Sequence, residues 1–156
     1  MEKTATKTLE DLGGIIITHE GVDLMAIDPA KVLCASSPCD IINPLTKAKT
    51  GGRVWLYSME SERVQSFLNE RADQELRKSA DLAARGKDPE PPSVERSIKR
   101  QIELLTVATD RWEGINMNGA TNVDFSVQRA IELYRVKFIR EQLQNYANEH
   151  ENFMQG

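Results

Sequence analysis

Histidine and cysteine are scarce: only His19 and His150, and only Cys34 and Cys39. One C-x4-C pair with no second pair beside it is a poor metal site, so no metal is expected. Nucleophilic catalysis needs a base beside a Ser or Cys, and neither histidine sits in such a context. The carboxylates lie in helix-surface patterns and form no paired, apolar-flanked site, so general acid/base work has no support. Gly13-Gly14 and Gly51-Gly52 lack the further glycines and the Lys-Ser/Thr of a P-loop. No enzyme, catalytic residue or cofactor is therefore expected.

Long hydrophobic runs are missing too. The longest unbroken aliphatic run is Ile15–Ile17, too short to span a membrane, and acids interrupt the N-terminus where a leader would lie. The protein is expected to remain where it is made. A basic surplus is also absent: 20 basic residues face 24 acidic ones. Arg96, Lys99 and Arg100 cluster, but Glu95 and Glu103 dilute them and no aromatic platform accompanies them. No nucleic-acid partner is expected.

What is present is packable. The 156 residues are enough for one compact domain or two small subdomains sharing a core. The pattern predicts an α+β fold, a small N-terminal antiparallel β-sheet followed by a mainly α-helical C-terminal half. Residues 1–14 read as a polar tail, poorly ordered or weakly helical, and 15–57 as the sheet region. There Ile15–Thr18 and Val22–Ile27 flank a Gly-containing turn as a hairpin, and Val32–Cys34 is a strand or loop broken by Ser36-Ser37-Pro38. Asp40–Ile42 and Arg53–Tyr57 form two antiparallel strands across the Asn43-Pro44 turn.

Residues 58–85 predict a long amphipathic helix capped by Ser58 or Ser61. Val64, Leu68, Ala72, Leu76 and Ala80 recur as one apolar stripe, to be covered by this chain or by a partner, a second copy included. Residues 86–92, with three prolines, read as a stiff extended linker. The region 93–156 reads as a helical region. Ser93 caps a helix with Val94, Ile98, Ile102, Leu105 and Trp112 on one face, Asn118-Gly119 makes a turn, and Ser126 caps Val127–Tyr134. A last helix, about 136–151, carries Phe138, Ile139, Gln142, Leu143 and Tyr146 on one face. Trp112, Gly114, Ile115, Phe125, Leu133, Tyr134 and Phe138 are the candidate packing or partner-binding residues. On physical grounds alone Trp112 reads as a core side chain before it reads as a partner contact.

Two stretches resemble small tail-region proteins of tailed bacteriophages. The first, Asp40–Arg71, carries Asn43-Pro44, Thr46, Gly52, Val54–Leu56, Ser61 and Arg71 in the order turn, Gly, strand, Ser, Arg-containing helix. The second carries Leu104-Leu105, Trp112-Glu113-Gly114, Gly119, Phe125-Ser126 and Leu133-Tyr134. It is similar to the helical half of tail assembly chaperones. Together they cover about half the chain, and residues 1–39 match nothing in that pattern. The resemblance implies a non-enzymatic chaperone in the bacterial host cytoplasm that binds a tape measure protein or tail tube subunits. The alternatives are a structural virion component (minor tail, neck or decoration protein) and a small nucleic-acid-binding or regulatory protein.

Overall fold

The computed structural model describes residues 35–154, except the side chain of His150, and the backbone of 7–8, 16–18 and 21–22. The fold is α+β. Strands β1 (Lys7–Thr8), β2 (Ile16–Thr18) and β3 (Gly21–Val22) make one short antiparallel sheet. The β2–β3 pairing, Ile17 with Val22 and Thr18 with Gly21, is the expected hairpin, and Lys7–Thr8 pairs with β2 where a tail was expected. Residues 23–34, including Cys34 and the strand-or-loop at Val32, lie outside the described residues.

The second sheet organises the rest. Strand β4 (Ser37–Ile42) and strand β5 (Lys49–Leu56) pair antiparallel, with Cys39 opposite Val54 and Asp40 opposite Arg53. The turn between them closes as its sequence suggests, because Asn43 Oδ1 accepts from Leu45 N at 2.9 Å and Thr46 N at 3.2 Å. β4 begins at Ser37, ahead of the expected start at Asp40, and so includes Pro38. An edge strand tolerates it, since one side needs no donor. That edge is covered instead by a side chain: Gln142 accepts from Ile42 N at 2.9 Å and donates to Ile42 O at 2.8 Å.

Helix α1 (Glu62–Ala84) starts at Ser61, whose Oγ accepts from Val64 N. It stops at Gly86, where Gly86 N and Lys87 N bond back to Ala83 O and Leu82 O. This Schellman closure needs a left-handed residue, and Gly86 supplies it at φ +67°. The stripe expected along α1 does not hold together. Residues four apart advance about 40° beyond a full turn, so the line winds around the helix. Val64 is buried, Leu68 is 38% exposed, and Leu76 is 69% exposed.

Helix α2 (Val94–Ala108), capped by Ser93 Oγ, runs antiparallel to α1, with ion pairs Arg71–Glu103 and Glu75–Arg100 bridging them. Residues 86–92 are thus the loop of a helical hairpin, not a spacer between separated units. The region 93–156 is not helical throughout either. α2 ends at Ala108, and Thr109–Glu113 is strand β6, antiparallel to β5, with Trp112 opposite Val54. The spacing from Leu105 to Trp112 suits a helix, but pairing with a distant strand overrides it. Helices α3 (Val127–Tyr134) and α4 (Lys137–Asn148) follow, then a 3-10 turn, His150–Phe153.

The core lies on one face of this sheet. Cys39, Ile41, Val54, Leu56 and Trp112 pack with Ile102 and Leu105 of α2, Leu133 and Tyr134 of α3, and Ile139 and Leu143 of α4. On the other face Arg111 stacks 3.7 Å from the Trp55 ring centroid, and Asp40 pairs with Arg53 and Lys49. Those two cations hold the Asp40 carboxyl below its ordinary range, Arg53 contributing most.

Candidate partner-binding surfaces

The residues singled out by sequence gather at one corner, where β6 leaves the sheet. Trp112 is 6% exposed; its Nε1 donates to Val123 O at 2.8 Å, and Phe125 meets its ring edge-on at 5.1 Å. Ile115 is buried beside Gly52, where an added Cβ would lie 3.0 Å from Ile115 Cδ1. Gly114 has φ +65°, and a Cβ there would fall 2.3 Å from Gly51 O. No L side chain fits that approach. The two resembling stretches therefore meet physically, through β5–β6 pairing and the Gly114–Gly51 contact.

Tyr134 closes the corner from α3. Thr109 Oγ1 donates to Leu105 O at 2.7 Å, so the 2.6 Å contact between Thr109 Oγ1 and Tyr134 OH has the phenol as donor. Burial pushes the Tyr134 phenol well above its ordinary value. Burial likewise pushes the neighbouring Cys39 thiol up to about 11, which makes it a packing residue and a poor nucleophile at neutral pH. Leu133 is buried in the same cluster. Phe138, by contrast, is 37% exposed and stands apart from this corner. Among the described residues no group of three or more His, Cys, Asp or Glu could hold a metal, and no helix is long and apolar enough to cross a membrane.

The corner is a packing element, and exposed recognition features lie elsewhere. Beyond Leu68, α1 and the first half of α2 project as an arm that buries little; Leu76 and Val94 are 69% and 77% exposed. Among the clefts that flank α2, two stand out by their chemistry. One, of about 380 Å³ against α3, has an apolar floor of Ile98, Ile102 and Ile131 under Glu95, Lys99 and Arg135. The other, of about 520 Å³ against α1, is lined by Arg71, Lys78, Arg96, Lys99 and Arg100 with Glu75 and Glu90. The cationic cluster on α2 is visible in the sequence. Its alignment with Arg71 and Lys78 is not, because it depends on the hairpin closing. Comparison with known proteins finds no match among protein-family models, curated proteins or solved structures.

Proposed function

We propose that this protein is a non-enzymatic tail assembly chaperone of a tailed bacteriophage. It holds a helical stretch of a tape measure protein or tail tube subunit in the host cytoplasm until the tube forms, and needs no cofactor. One observation supports this above the others: a two-helix arm leaves its apolar positions uncovered by its own chain. Leu76 and Val94 face solvent, and at the arm's base the half-buried Ile98 lines an open cleft with Ile131 of α3, over the buried Ile102. An amphipathic client helix laid there would cover those side chains and lose its own exposed stripe, the helix-in-groove mode of recognition. The resemblance of Asp40–Arg71 and Leu104–Tyr134 to small tail-region proteins names the client.

The test is affinity capture from infected cells with wild type and with a Leu76→Glu, Val94→Glu variant. The expected result is co-purification of a tape measure or tube protein with wild type, and its loss with the variant at unchanged melting temperature. Stoichiometric presence in purified virions would replace this reading with that of a structural virion component. Self-association is the competing use of the Leu76 face, and light scattering on the free protein separates the two.

A further inference from the structure

The cleft between α1 and α2 differs in kind from the apolar one. Between Leu76 and Arg100 the chain carries seven basic residues against four acidic, whereas the remainder carries thirteen basic against twenty acidic. The arm's far end is thus a positive region on a negative protein. Within the cleft Arg71, Arg96 and Arg100 are engaged by Glu103, Glu90 and Glu75. Lys78 and Lys99 make no ion pair among the described residues and line the same opening, with Leu82 and Pro89 beside them.

We propose that this cleft seats an acidic helical segment of the partner protein, with carboxylates paired to Lys78 and Lys99 and an apolar side chain against Leu82 and Pro89. This rests on the reading of the arm as the client-holding element, and it names the chemistry of the client segment. A protein helix suits the lining better than a nucleic acid does. Glu75 and Glu90 would repel a run of phosphates, no aromatic ring offers a base a stacking surface, and the acidic remainder of the chain opposes a long polyanion. Mixed charge in a cleft instead favours a partner with charges at fixed spacing and sets its register.

The experiment uses the full chain and a fluorescent synthetic helix bearing Glu at i and i+4 on one face and Leu on the other. Controls are the same helix with Lys for Glu, and a single-stranded DNA oligonucleotide. Binding of the acidic helix is expected, weakening as salt rises. A Lys78→Glu, Lys99→Glu variant should bind it at least tenfold more weakly while melting at the wild-type temperature. Equal binding by that variant, or tighter binding of the oligonucleotide than of the acidic helix, would overturn the proposal. Capture from infected cells distinguishes the two levels. If the charge-reversed variant still captures the tail protein at wild-type yield, the cleft proposal fails and the chaperone reading stands. If wild type binds the acidic helix but captures no tail protein, the chaperone reading fails and the cleft stands.

Discussion

Helix α2 passes through two environments within fifteen residues. Its second half presents Ile102, Leu105 and Ala108 to the sheet and to α3 and α4, where each is nearly excluded from water. Its first half presents Arg96, Lys99 and Arg100 to a cleft, where Arg100 pairs with Glu75 of α1 through half-exposed side chains. Buried apolar contacts contribute kilocalories each, whereas exposed ion pairs contribute about 0–1 kcal/mol. The core half is therefore fixed by many contacts that reinforce one another. The arm half is fixed mainly by its covalent attachment and by its own helical bonds. A region that opens at low free energy while the core stays intact is the kind that binding proteins use.

This contrast can be broken at graded points. The largest loss is expected at the corner: Trp112→Ala should reduce unfolding free energy by about 3–5 kcal/mol in urea titration, through the cavity and the unpaired Val123 carbonyl. Gly114→Ala should cost about 2–4 kcal/mol, because the added methyl meets Gly51 O and φ stays positive. A wild-type urea midpoint for the Gly114 variant would show that β6 can leave the sheet without penalty.

A smaller effect is set by pH. The Cys39 thiol has an ordinary value of 9.0 and is raised to about 11 in the fold, and the Tyr134 phenol is raised as well. Above pH 9 the unfolded chain releases the thiol proton, and above about 10 the phenol proton, while the folded chain keeps both. Stability is thus full below pH 9 and falls as pH rises through about 11. Urea midpoints at successive alkaline pH values should show the decline, flatter in Tyr134→Phe. The smallest effects belong to the arm. Arg71→Ala should change stability by about 0.2–1 kcal/mol, less at high salt, and Leu76→Ala by under about 0.5 kcal/mol. A loss of several kilocalories at Leu76 would mean that a second copy covers that face.

The features set by local rules are legible in the sequence. Ser61, Ser93 and Ser126 each cap the helix that follows, Gly86 ends α1, and the Asn43-Pro44 turn joins β4 to β5. All of these depend on neighbours a few residues away. Strand β6 depends on β5, more than fifty residues earlier, so Thr109–Glu113 looks like more helix until that partner is placed. The early start of β4 at Ser37 is hidden for a similar reason, since tolerance of Pro38 depends on lying at a sheet margin. The stripe on α1 misleads through geometry alone: a repeat of four is near enough to 3.6 to suggest a face and far enough to leave it within two turns. Of the candidate residues, Trp112, Gly114, Ile115, Phe125, Leu133 and Tyr134 converge as packing, and Phe138 does not join them. The charged cleft needed the hairpin, which a proline-rich segment disguised as a spacer.

The amide of Gln142 has a consequence for the company this protein can keep. By bonding both the N–H and the carbonyl of Ile42, it imitates a next strand where, among the described residues, the sheet has none. A foreign strand arriving at β4 would have to evict that imitation, and would also meet Pro38, which has no donor to offer. This margin is thereby guarded against templated growth, whether the arriving strand belongs to another protein or to a second copy of this chain.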